Sequence, residues 1–183
     1  MMLSRKIRTQ FGKYRFLKEL KKFSREPEID NFDQATSIGL LYDATLESDT
    51  EVIKNYTRNL RSNFKKDVLA MGYVDKKKPH KSQYAQFGLD FFTRRDLNFS
   101  MIPVDPIVQN FIEKKFDILV NVNSSNSFPL QYISALSNAK FKVARFQNKK
   151  EDAFDMMIKI DNEAPLKTVL EEIEKYLRLI HSS

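Results

Sequence analysis

Phe116-Asp117-Ile118-Leu119-Val120-Asn121-Val122 decides how this chain folds, together with what lies on either side of it. Five of its seven residues are apolar, the pattern of a strand covered on both faces rather than one facing water. Phe128 to Ala139 follows as a helical stretch and Phe141 to Phe146 as the next strand. Strand, helix and strand in succession form a crossover unit, and such units join parallel neighbours.

The same alternation runs outward in both directions. Ser37-Ile38-Gly39-Leu40-Leu41-Tyr42 is a first strand, Val68 to Val74 a second and Phe87 to Thr93 a third. Between the first two, Val52, Ile53, Tyr56, Leu60 and Phe64 recur at helical spacing behind an expected cap at Ser48 or Asp49. Asp105-Pro106 opens a further helix that turns Ile107, Val108, Phe111 and Ile112 inward. Phe154 to Ile160 is a sixth strand, and a closing helix from Pro165 to Ile180 carries the stripe Leu166, Val169, Leu170, Ile173, Tyr176, Leu177 and Ile180. The expected architecture over residues 36–183 is α/β, a three-layer, doubly wound and mainly parallel sheet of Rossmann-like kind.

Charge sets the first 25 residues apart. Arg5, Lys6, Arg8, Lys13, Arg15, Lys18, Lys21, Lys22 and Arg25 face a single acid there, Glu19, whereas the remainder holds 22 basic and 23 acidic residues. The formal net charge of +7 therefore belongs to an arm worn by a nearly neutral domain. Within the arm, Leu3, Ile7, Phe11, Tyr14 and Leu17 form one helical stripe, and Phe16, Leu20 and Phe23 a second, rotated from it. The spacing predicts a helix over residues 3–23, bent or in two parts around Gly12, followed by a linker over residues 26–35.

Three partners fit that arm. The first stripe can pack on the domain or on a second copy, giving a homodimer. Eight of the cations, Arg5, Lys6, Arg8, Lys13, Arg15, Lys18, Lys21 and Lys22, can bind a polyanion with salt-sensitive, sequence-tolerant affinity. Alternatively, the stripe can enter the headgroup layer of an anionic membrane. No run approaches the roughly 18 apolar residues of a membrane span, and Met1 to Phe23 lacks the apolar core of a secretory signal. A cytoplasmic protein is the expectation.

Composition excludes much chemistry. Cysteine is absent, and the two histidines, His80 and His181, lie far apart. No disulfide, thiolate nucleophile or histidine–cysteine metal cluster is available. With four glycines in total, neither a P-loop nor a dinucleotide fingerprint occurs, and no catalytic residue or cofactor is predicted. In a doubly wound sheet, ligands sit beyond the carboxyl ends of the strands where strand order reverses. The candidate crevice residues are accordingly Asp43 and Thr45 after the first strand, and Asn121, Asn123 and Ser124 after the fourth. Turn and capping chemistry favours the same residue types. Asp75 with His80 is a weaker acid–base candidate. The run Phe91-Phe92-Thr93-Arg94-Arg95-Asp96-Leu97-Asn98-Phe99 reads as core phenylalanines with a local Arg95–Asp96 pair, its other reading being an extension of a nucleic-acid surface.

The segments Arg95-Asp96-Leu97-Asn98, Phe116 to Asn121, Pro129 to Val143 and Phe154 to Ile158 together resemble a family of small uncharacterised proteins from Bacteroidota. That resemblance implies the fold and a bacterial cytoplasmic setting, and brings no activity with it. From Asp117 to Val143 the chain is also faintly similar to the N-terminal half of heptosyltransferase-type glycosyltransferases, with Arg145 following Ala144 where that family has glycine. The functional expectation is a non-enzymatic interaction protein whose arm binds ribosomal RNA or another nucleic acid. The alternatives are a membrane-surface protein, and a small-ligand protein or degenerate transferase using the crevice.

Overall fold

In the computed structural model, which describes residues 4–84, 86–123, 127–146, 153–161 and 163–180, six parallel strands form one sheet. They are β1 (Ser37–Asp43), β2 (Asp67–Val74), β3 (Leu89–Thr93), β4 (Ile118–Asn121), β5 (Phe141–Arg145) and β6 (Met156–Ile158). Their order across the sheet is β3-β2-β1-β4-β5-β6. The helices are α1 (Arg5–Leu20), α2 (Glu47–Phe64), α3 (Pro106–Glu113), α4 (Phe128–Leu136) and α5 (Leu166–Leu179). Chain direction across the sheet reverses between β1 and β4, so the switch point lies between their carboxyl ends.

Apolar side chains leave both faces of the central strands. Ile38, Leu40, Val120 and Val143 meet Ile53 and Leu60 of α2 and Val169, Leu170, Ile173 and Leu177 of α5. Leu41, Met71 and Leu119 meet Val108 and Phe111 of α3 and Leu130 and Ile133 of α4 on the other face. Side chains of this size each contribute roughly 1.5–3 kcal/mol when fully buried, so both helical layers are needed to cover the sheet.

Local chemistry moves several boundaries. Helix α2 opens one residue before the expected caps, with Leu46 in the cap position and no side-chain cap hydrogen bond. Strand β4 begins at Ile118 because Asp117 is occupied otherwise. Its Oδ2 accepts from the backbone and hydroxyl groups of both Thr36 and Ser37, and its Oδ1 meets Lys140 Nζ at 3.1 Å. Burial pushes that carboxyl upward, yet these donors hold it well below the usual carboxylate range. The expected Arg95–Asp96 pair is replaced: Asp96 accepts from Thr93 N and Oγ1 in a capping box, while Arg94 Nε reaches Asp75 at 2.7 Å.

The basic arm is packed onto the domain, and by the stripe opposite to the one with the longer periodicity. Phe16 meets Phe128 edge-on at 6.1 Å between ring centroids and Tyr132 at 5.7 Å, and Leu20 and Phe23 pack on the same cluster. The Tyr132 hydroxyl donates to Glu19. Gly12 is where the helix touches the domain: a Cβ there would lie 2.1 Å from the Ser100 carbonyl oxygen and 2.7 Å from the Phe128 ring. Arg5 donates to both Asp75 carboxylate oxygens at 2.8 and 3.0 Å, and Arg8 donates to the carbonyls of Phe99 and Asn98. Within residues 26–35, Phe32 and Ala35 are buried.

Lys142 on β5 is buried beneath this arrangement. Its Nζ donates to the Ala135 carbonyl at 2.9 Å and lies 5.1 Å from the centre of the Phe23 ring. Burial, reinforced by the charge of Arg25, pushes its ammonium down to about 7 from the usual 10.5. An amine depressed on folding binds fewer protons in the native than in the unfolded state, so it penalises the fold fully below about pH 7 and not at all above 10.5.

Two expectations follow from these contacts. Stability of the wild type should rise between pH 7 and pH 10 in urea titrations, and Lys142→Met should flatten that rise, being more stable than wild type near pH 7 by about 1–3 kcal/mol. Persistence of the slope in the variant would assign it elsewhere. Gly12→Ala, which gains about 1 kcal/mol in an isolated helix, should here lose roughly 1–3 kcal/mol through overpacking, seen as a lower thermal midpoint. A raised midpoint would contradict the close approach.

Candidate functional site

With α1 held by its Gly12–Phe16–Leu20 face, the opposite face looks to solvent. Ile7, Phe11, Tyr14 and Leu17 are 43%, 54%, 61% and 54% exposed. At 100° per residue they occupy an arc of about 120°, pointing away from the domain. Leu3, the fifth residue of the stripe, lies outside the described residues. Of the readings of this stripe, packing on its own domain is not what the structure shows: the domain takes the other stripe, where Gly12 permits backbone contact.

The eight predicted polyanion-binding cations divide into two groups. Arg5 and Arg8 are committed to the domain through the contacts given above, with Arg8 also lying 5.4 Å from the centre of the Phe99 ring. Lys6, Lys13, Arg15, Lys18, Lys21 and Lys22 are exposed. On the helix surface Lys6 and Lys13 line one flank of the apolar stripe, Arg15 and Lys22 the other, and Lys18 and Lys21 stand at its C-terminal end. Lys18 Nζ also sits 4.8 Å from the centre of the Tyr14 ring. Arg25, on the far side, donates to the Lys140 carbonyl and to Asp155. No helix among the described residues is long and apolar enough to cross a membrane.

The second candidate is the crevice at the carboxyl ends of β1 and β4. It holds about 250 Å³ and is lined by Tyr42, Asp43, Asp49, Val122, Asn123, Arg145 and the segment Ala164 to Leu166 with Val169. Of the predicted residues, Asp43 and Asn123 line it. Thr45 and Asn121 do not. Asp43 Oδ1 accepts from Thr45 N, Thr45 Oγ1 accepts from Asp75 N, and Asn121 joins Ser134 of α4 to Asn123 N, all turn and packing chemistry. Ser124 lies outside the described residues, as does His181.

Two crevice residues escaped the sequence reading. Arg145 ends β5 and is only 4% exposed, and Asp49 sits one turn into α2 rather than capping it. Burial raises the Asp49 carboxyl, a hydrogen bond from Ser48 opposes that, and the negative charge of Asp43 raises it again, which places the two carboxyls near one another. The available signal was an arginine closing a strand run.

Asp75 and His80 are not a pair. Hydrogen bonding from Arg94 holds Asp75 well below the carboxylate range, against burial, with Arg5 and the Tyr73 hydroxyl acting in the same direction as Arg94. His80 Nδ1 lies instead 2.8 Å from Glu47. Asp75 is thus the pin that fixes the start of α1.

No curated protein and no solved structure matches the sequence. A family model described as "Family of unknown function (DUF6913)" matches residues 8–180, from within α1 to the residue after α5. The match takes in the docked helix as well as the sheet, and the chain belongs to this family of unknown function.

Proposed function

We propose that this is a non-enzymatic interaction protein that attaches its α/β domain to an anionic membrane surface through the outward face of α1. The observation that carries the reading is the exposure of Ile7, Phe11, Tyr14 and Leu17 on a helix whose other face is clamped to the domain. The six exposed cations around that stripe have the arrangement of a helix lying in the headgroup layer, apolar face down and ammonium groups at phosphate height. Each lysine or arginine near such a surface contributes about 1 kcal/mol. Submerging the four side chains adds the hydrophobic term for the part still exposed.

Nucleic acid is the competing polyanion. Its phosphates match the cations equally, and Phe11 and Tyr14 can stack on bases. Ile7 and Leu17 gain nothing there, and their exposure favours lipid. A second copy of the chain is disfavoured by charge, because facing two such stripes brings two sets of cations together.

Co-sedimentation with vesicles of anionic and of zwitterionic phospholipid tests the proposal. Wild-type protein should partition onto anionic vesicles and be released by salt, and the double variant Phe11→Ser/Leu17→Ser should bind at least tenfold more weakly while remaining folded. No partition at low salt would overturn it. So would unchanged binding by the double variant. Retention on single-stranded RNA that ignores the double substitution, without vesicle binding, would install the nucleic-acid reading in its place.

A further inference from the structure

Arg145 is a buried guanidinium, 4% exposed, that donates to the Asp161 carbonyl, and among the described residues no acid lies within ion-pairing distance of it. Arginine cannot shed its proton to escape burial, so a site of this kind costs several kcal/mol unless something compensates the charge. Lys66 and Lys142 are likewise buried and donate to backbone carbonyls, whereas the more exposed arginines differ. Arg25, Arg94 and Arg178, all more exposed, each meet an aspartate or glutamate.

The guanidinium borders an empty space rather than a packed wall. The 250 Å³ crevice at the β1–β4 switch point has Arg145 on one side and Asp43 and Asp49 on the other, with Asn123 between strands and helix α5 closing the third wall through Leu166 and Val169. Smaller than the roughly 300–1,000 Å³ of drug-sized pockets, it takes a molecule of amino-acid or monosaccharide size and not a dinucleotide. The fork of N–H donors on arginine matches a carboxylate or phosphate. The two aspartates would repel a bare anion and instead accept hydrogen bonds from hydroxyl or ammonium groups.

We propose that this crevice is a binding site for a small organic anion bearing a hydroxyl or ammonium group. Arg145 holds the carboxylate or phosphate, and Asp43 and Asp49 receive the donor end. The site is independent of the α1 surface, since none of its residues belongs to that helix.

Thermal unfolding of the full chain with millimolar amino acids, hydroxy acids, sugar phosphates and inorganic phosphate tests it. One of the organic classes should raise the midpoint saturably by several degrees, and inorganic phosphate alone should not. Comparison of the carboxylate and phosphate arms names the head group. Arg145→Met should abolish the response and also raise the midpoint of the ligand-free protein, because it removes a buried charge that no acid among the described residues pairs with. Asp49→Asn should weaken the response at least fivefold with the fold intact. No response across the organic panel, or a response that survives Arg145→Met, would overturn the proposal. A lowered ligand-free midpoint in Arg145→Met would assign the arginine a structural role and overturn it equally.

Discussion

At Gly12 helix α1 rests on the backbone of residues 98–101 so closely that a single added carbon would collide with the Ser100 carbonyl. That contact fixes which way α1 faces. With Gly12, Phe16 and Leu20 turned inward, Ile7, Phe11, Tyr14 and Leu17 have nowhere to go but out. The polar clamps at either end act in the same sense: Arg5 on Asp75 at the start, Arg25 on Asp155 just beyond the end. Exposed ion pairs of this kind contribute little each. Their value here is orientation, because a helix with two apolar faces can otherwise roll.

The sheet places everything else. In the order β3-β2-β1-β4-β5-β6, the connections leaving the carboxyl ends of β1 and β4 run in opposite directions across the sheet, and the crevice there is lined by residues of α2 and α5. Asp75, the anchor of α1, ends β2 on the same edge. Helix α1 and the crevice are thus both positioned by the carboxyl edge of one sheet. The polar residues of the edge that do not face the gap, Thr45 and Asn121, satisfy turns and helix α4 instead.

Much of this was legible in the amino-acid sequence, for identifiable reasons. Runs such as Ile118 to Val120 are continuously apolar because both faces are covered, and that pattern has few alternatives. Asp105-Pro106 marks a helix start by capping and by proline's fixed geometry, and the structure shows both. What stayed hidden depends on contacts distant in sequence. Periodicity shows two stripes on α1 and cannot choose between them; Gly12 chooses, through Ser100. Lys142 and Arg145 look like residues of a partly exposed strand, yet β5 lies inside the sheet and both are buried. Asp43 and Asn123 were found by the general rule for such sheets, whereas Arg145 and Asp49 reach the same crevice from elements that the rule does not single out.

The central claim is that α1 meets an anionic surface with its Phe11 face while its Phe16 face stays on the domain. The chain has no tryptophan, so Phe11→Trp and Phe16→Trp each supply a single tryptophan that can be excited apart from the tyrosines, one on either side of the helix. On titration with anionic vesicles, the emission of Trp at position 11 should shift to the blue and be quenched by spin-labelled lipid, while that at position 16 stays unchanged. Quenching at position 16, or silence at both, would contradict the account.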